Sequence, residues 1–252
     1  MRDLAPLLAA EGMTPVRLAA TAARMARARV ALEDSVAALL GYRAEIYPEG
    51  YCRLAPDVFH AVPDEIGLRA LARIVSCIGG RDYPPRMDRL ERLYAVLCGD
   101  VAALGGGRTL SGCRVLMRRG AILICREPAA ASERLPARGE VLWDGRFRLR
   151  FASSGGAAQV RRLGREGWCV AVAEMPALRR IAIPAVVRSS LPSIWSGDRL
   201  LAAPHLRYRC RRGGGGAAAS RAVVAFMPRR PLVPAHFGAI FTLQEGASTL
   251  FN

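Results

Sequence analysis

Two helix-period stretches, PDEIGLRALARIVSCIGG from Pro63 and PPRMDRLERLYAVLCG from Pro84, lie so close between helix-breaking residues that they constrain this chain more than any other feature. Proline suits a first helical turn because its missing N–H is unpaired there anyway, and glycine suits the end because it enters the left-handed region without a side-chain clash. The first run stops on Gly79-Gly80, and the second opens on Pro84-Pro85 and stops at Gly99, which predicts a helical hairpin. Arg69 and Arg73 are four apart on the first helix, Arg89 and Arg92 are three apart on the second, and Arg81 and Arg86 sit in the connection. The arginines are therefore expected to converge around the turn. Asp88 and Glu91 offer partial neutralisation, so a solvated charged face stands as the alternative.

Ahead of the hairpin, Thr14-Pro15 supplies an N-cap followed by a proline at the first helical position, and Gly41 is placed as a stop. The bracket predicts a helix of about 26 residues, or ~39 Å. Leu18, Met25, Leu32 and Leu39 recur every seven residues with Val36 alongside, a stripe expected to pack on a core, while Arg17, Arg24 and Arg27 lie off it. A helix of this length at the start of a chain also suits a connection between two bodies.

Strand signals follow. Arg119-Gly120 lies between two apolar runs and predicts a β-hairpin with glycine at a position requiring positive φ. Asp144-Gly145 does the same inside VLWDGRFRLRF, where alternation is expected to send Phe147, Leu149 and Phe151 to one face and Arg146, Arg148 and Arg150 to the other. That second face suits either phosphate contact or an edge strand guarded by charge. CVAVAE, RLLAAPHLRYRC and RAVVAFMP read as strands, with RCRRGGGGAAASR as a flexible loop joining the last two. The fold class is α+β. A connecting helix region (1–41) leads to a small helical domain with a β-hairpin (42–128), then a linker (129–139) rich in Ala, Pro and Arg, then a basic domain with a mixed sheet (140–252).

All 37 basic side chains are arginine, for a net charge of +16. Eighteen arginines face fourteen acids before Pro128, and nineteen face seven from it onward, so the C-terminal half carries the field. The guanidinium fork gives bidentate phosphate recognition that an ammonium does not, and a field of this sign implies a polyanionic partner, with nucleic acid favoured over membrane. No apolar run is long enough to cross a bilayer, and MRDLAPLLAAEG is too short and too acidic for an export signal, so a cytoplasmic protein is expected. Cysteines 52, 77, 98, 113, 125, 169 and 210 include no C-x-x-C pair and no histidine at ligand spacing, which points away from a disulfide framework or a metal site.

Catalytic signals are sparse. Ser153-Ser154-Gly155-Gly156 invites comparison with a phosphate loop, but the continuation Ala157-Ala158-Gln159 lacks the acid, and no β-α-β context surrounds it. A G-x-x-x-x-G-K-[ST] loop is impossible without lysine. His60, His205 and His236 are scattered. Cys113 beside Arg114 is conceivable as a nucleophile and leaves a Cys-dependent hydrolase or transferase as an alternative reading, although a buried thiol is the commoner state.

The strings LRALARIVSCIGGRDYPPRMDRLERL (68–93), TLSGC (109–113), CREP (125–128) and WDGRF (143–147), with LPSIWSGDRLLAAPHL (191–206) more weakly, resemble in order and spacing the tRNA(Ile)-lysidine synthetases, in the part that follows their catalytic domain. Ser111 stands where that family usually has a second glycine. The resemblance implies an N-terminal ATP-pyrophosphatase domain with an S-G-G-x-D-S loop. In such enzymes that domain uses ATP and Mg2+ to adenylate the wobble cytidine of a minor isoleucine tRNA before free lysine attacks. No such domain is read in this sequence, so the chain is expected to be the tRNA-holding C-terminal region, a truncated product or one piece of a split gene, binding tRNA without catalysing alone. A stand-alone RNA-binding module is the rival, and a homodimer stays open. The residues expected to meet tRNA are Arg69, Arg73, Arg81, Arg86, Arg89, Arg126, Arg146 and Arg148, with Arg126 having the alternative of pairing with a carboxylate.

Overall fold

The computed structural model describes residues 10–151, 157–210 and 222–232. The described residues have the expected α+β class, with the three longest helices in the N-terminal half and three sheets whose strand pairs are all antiparallel, where a mixed sheet was expected. The Ser153–Gly156 turn and the Gly213–Gly216 loop lie outside the described residues. The elements flanking the former are strands, not a strand and a helix.

Helix α1 spans Pro15–Arg43 (29 residues), and the Thr14 side chain accepts a hydrogen bond from the Arg17 N–H as the N-cap. It runs through Gly41, two residues past the expected stop, because the chain passes straight into strand β1 (Ala44–Tyr47) and needs no left-handed exit. It packs only from Leu32 onward: Val36 and Leu40 are buried, whereas Met25 is 67% exposed and Val16 78%. The expected seven-residue stripe is thus a core face over Leu32, Leu39 and Val36 alone. Its first half finds nothing to cover it in the described residues.

The helical hairpin forms as the punctuation predicts. Helix α2 (Asp64–Gly79) ends on Gly80 at φ +60°, and α3 (Met87–Cys98) begins after the two prolines. Sheet one runs β1-β2-β5-β4-β3, with β2 at Tyr51–Leu54, β3 at Arg108–Leu110, β4 at Cys113–Arg118 and β5 at Ala121–Arg126. The Arg119-Gly120 turn takes positive φ at both positions, which matches the twist of the strands it joins. Every residue of β5 is buried. Ile122 and Ile124 face the helices with Leu71, Ile74 and Leu97, while Leu123 and Cys125 face a second apolar cluster with Leu163, Trp195 and Tyr208.

That second cluster crosses the expected linker. Within the linker, β6 (Leu135–Pro136) pairs with β9 (Gln159–Arg162), and Ala131 and Ala137 are core residues. Sheet two runs β12-β11-β10-β9-β6, with β10 at Pro192–Ser196, β11 at Arg199–Ala203 and β12 at Tyr208–Arg209. Sheet three runs β13-β8-β7, with β7 at Glu140–Trp143, β8 at Phe147–Phe151 and β13 at Ala222–Phe226. Sheets two and three share a third cluster through Ile194, Ala202, Trp143 and Leu149.

One strand expectation fails outright. CVAVAE is the end of helix α4 (Gly164–Glu174), not a strand. Alternating Val and Ala suits a pleat, but the helix opening at Gly164 carries the segment with it and buries Ala171 and Val172 on its core side.

Candidate functional site

The α2–α3 connection forms one wall of an open cleft of about 910 Å³. Arg81, Arg86 and Arg89 line that wall, and the turn between β3 and β4 (Thr109–Gly112) and the segment after β5 (Glu127–Ser132) form the other two. All three arginines are exposed. Arg86 has a long contact to Asp88 at 3.9 Å, and Arg81 and Arg89 make no ion pair among the described residues. The convergence expected around the turn is therefore real for these three. The other helical pair is not part of it. Arg69 donates to Glu65 at 2.7 Å and to Glu33 of α1 at 3.1 Å, and Arg73 also pairs with Glu33, so both fasten α2 to the long helix. Partial burial lowers the Arg73 pKa.

Beneath the cleft lies a buried Arg–Asp–Arg cluster. Arg126 is 5% exposed, Asp144 7% and Arg146 0%. Arg126 Nη2 donates to Asp144 Oδ1 at 2.5 Å and Nε to Oδ2 at 3.0 Å, and Arg146 Nε donates to Oδ2 at 2.8 Å. The remaining guanidinium donors reach backbone carbonyls. Arg126 binds Gly79 at 2.5 Å, Gly112 at 3.3 Å and Ala130 at 2.9 Å, and Arg146 binds Gly50 at 3.4 Å and Ser190 at 3.2 Å. Burial pulls the Arg146 pKa down, and Asp144 opposes the shift. Buried charges persist only when paired and fully hydrogen-bonded, as these are.

This placement corrects the expected face of Arg146. It does not extend the outward row of Arg148 and Arg150, because it occupies the last position of the Asp144-Gly145 turn, where its N–H bonds the Trp143 carbonyl at 3.1 Å and its side chain folds back to Asp144. Arg126 takes the alternative foreseen for it, a carboxylate partner. Both arginines are buried, Arg146 completely and Arg126 nearly so at the floor of the cleft. Arg148 does face outward, and it shares Glu140 with Arg150, at 2.7 Å each.

The glycines explain why the strings that carry the family resemblance belong together. A Cβ at Gly80 would fall 2.2 Å from the Asp144 carbonyl oxygen, and one at Gly145 would fall 2.3 Å from the Gly80 carbonyl oxygen. The end of α2 and the tip of the β7–β8 hairpin therefore touch backbone to backbone. Arg229 adds a further tie, with its N–H on the Gly145 carbonyl at 3.0 Å and its guanidinium on Asp82 at 2.6 Å.

Cys113 has no nucleophile's setting. It is fully buried, its Sγ donates to the Val75 carbonyl at 3.3 Å, and burial pushes its thiol up to about 12 against the opposing pull of Arg126 and Arg146. His60 and His205 bond the Cys98 and Pro48 carbonyls, and His236 lies outside the described residues. Residue-by-residue reading of the sequence missed Tyr83, which is 83% exposed at the cleft. The signal was an aromatic interleaved with arginine in RDYPPR.

No family model matches the chain. Its relatives among curated proteins carry one name. The tRNA(Ile)-lysidine synthase of Ruegeria pomeroyi is 36% identical over 199 residues, covering 78% of this chain and 44% of its own length. That of Caulobacter vibrioides is 32% identical over 184 residues (69% and 42%), and that of Wolbachia pipientis wMel is 26% identical over 203 residues (76% and 44%). The chain spans less than half the length of these relatives. It belongs to the tRNA(Ile)-lysidine synthase family, as the C-terminal region.

Proposed function

We propose that this chain is the tRNA-holding part of a lysidine synthase and does not itself carry out the chemistry. The observation that carries the reading is the cleft at the α2–α3 turn, where Arg81, Arg86 and Arg89 are exposed together and two of them have no carboxylate partner among the described residues. Unpaired guanidinium groups on a chain of net charge +16 are available to phosphate in a way that Arg69, Arg73 and Arg148, each with an acid, are not without exchange of partners. An enzyme that modifies one base of a folded RNA needs such contacts to fix register, and phosphate and sugar supply most of them.

The family resemblance implies lysine, ATP and Mg2+ as participants. The described residues do not fit the metal: no three of their His, Cys, Asp or Glu side chains come together as ligands. The reading assigns ATP and Mg2+ to a catalytic domain supplied by the rest of the enzyme.

The test is tRNA affinity of the full chain as a function of salt. Affinity is expected to fall steeply, with Arg81→Ala and Arg89→Ala each reducing the log–log slope by about 1. A flat response sinks the proposal, and equal affinity for isoleucine and unrelated tRNAs favours a general RNA-binding module.

A further inference from the structure

Tyr83 stands on the rim of the cleft with its ring open to solvent and makes no hydrogen bond or ring contact among the described residues. An exposed aromatic is unremarkable alone. Here it lies two residues from Arg81 and three from Arg86, all on one wall, and it is followed by Pro84 and the buried Pro85, which limit the backbone freedom of the connection. The connection is also fixed from outside, through the Arg229–Asp82 pair.

The cleft beneath is built rather than incidental. Arg126 places one guanidinium against the carbonyls of Gly112 and Ala130, on two of the walls, and of Gly79 at the end of α2, where the third wall begins. Its volume, about 910 Å³, is within the roughly 300–1,000 Å³ of sites that enclose a small molecule or a single residue of a polymer. Of the carboxylates lining it, Asp82 is paired with Arg229, while Glu127 has no ion pair among the described residues. Glu127 presents acceptor oxygens that a ribose hydroxyl or an exocyclic amino group satisfies and a bare phosphate does not.

From this arrangement we infer that the cleft takes one unpaired nucleotide of an RNA strand, with its base stacked on Tyr83 and its flanking phosphates held by Arg81, Arg86 and Arg89. A base inside a duplex has both faces covered by its neighbours and offers none to Tyr83, whereas bases in loops and single strands stack readily on exposed aromatic rings beside arginine. Arg126 is then a positioning residue, touching no RNA and setting the distance between the walls. The inference deepens the tRNA-holding reading and rests on it for its class of ligand.

The test uses the full chain with a labelled seven-nucleotide unpaired RNA, a blunt fully paired RNA stem, and whole tRNA. Tyr83→Ala is expected to weaken the unpaired RNA about tenfold and leave the stem unchanged, with Tyr83→Phe close to wild type. Because the side chain is exposed, the variant keeps its fold, and an unchanged melting temperature verifies this. Equal binding of unpaired RNA by Tyr83→Ala and wild type, or an equal loss for the stem, overturns the inference. Displacement of the unpaired RNA by inorganic phosphate or AMP at the concentration of the oligonucleotide also overturns it, by making the cleft a small-molecule site. If whole tRNA binds with a steep salt slope while Tyr83→Ala is neutral, the tRNA reading survives and this inference falls. If the seven-nucleotide RNA binds through Tyr83 but whole tRNA does not bind, the reverse holds.

Discussion

Arg126 and Asp144, eighteen residues apart, meet in a buried two-point ion pair, Nη2 to Oδ1 at 2.5 Å and Nε to Oδ2 at 3.0 Å, which ties the end of the central strand β5 to the β7–β8 hairpin. Arg146 shares the same carboxylate. Asp144→Asn leaves two buried guanidinium groups without their counter-charge, and the expected cost is roughly 3–5 kcal/mol of stability. Arg148→Ala removes an exposed pairing and is expected to cost no more than about 1 kcal/mol. Urea denaturation midpoints distinguish the two, and similar small losses for both variants contradict the assigned role of Asp144.

Two glycines are expected to respond in opposite directions to alanine. At Gly80 the φ is +60° and a Cβ would strike the Asp144 carbonyl, so Gly80→Ala is expected to lose more than about 1 kcal/mol. Gly41 lies inside α1 with nothing within 4 Å of its Cβ position, so Gly41→Ala is expected to gain roughly 0.5–1 kcal/mol. Thermal melts of both variants measure the contrast.

Acid should destabilise this protein partly through His205. Burial lowers its pKa from 6.5 to about 4, with the Pro48 carbonyl opposing and Arg146 reinforcing the shift. The unfolded imidazole then takes up a proton that the folded one refuses, so this contribution is intact above about pH 6.5 and is lost as pH falls toward 4. Glu140, held below the usual carboxylate range by its hydrogen bond from Arg150, adds a loss in the same direction at lower pH. His205→Phe is expected to flatten the stability curve between pH 6.5 and 4, and an unchanged slope refutes the assignment.

Thiol labelling should separate Cys113 from Cys169. Cys169 is exposed and Cys113 is not, with its thiol held protonated at neutral pH. Iodoacetamide on the native chain, read by peptide mass spectrometry, is expected to modify Cys169 and spare Cys113 until denaturant is added. Rapid native labelling of Cys113 would revive a nucleophilic role for it.

What the linear sequence determined is what depends on neighbours along the chain. Thr14-Pro15 starts a helix, Gly80 ends one, and Arg119-Gly120 and Asp144-Gly145 close hairpins, because caps and tight turns are set by φ preferences and hydrogen bonds within a few residues. The gathering of Arg81, Arg86 and Arg89 was legible for the same reason, since all three lie within one short connection and the turn that follows it. Tertiary structure alone decided which arginines remained free. Arg146 looks like Arg148 in the alternation of its strand, yet its side chain is buried because the Gly50 and Ser190 carbonyls, from distant segments, meet it beside Asp144 of its own turn. Arg69 and Arg73 are turned to Glu33 by the docking of α1, and CVAVAE became helix through what packs on Ala171 and Val172. Burial, and pairing with partners such as Glu33 that lie far along the chain, depend on tertiary contact, so the division between structural and available arginines appears only once the chain has folded.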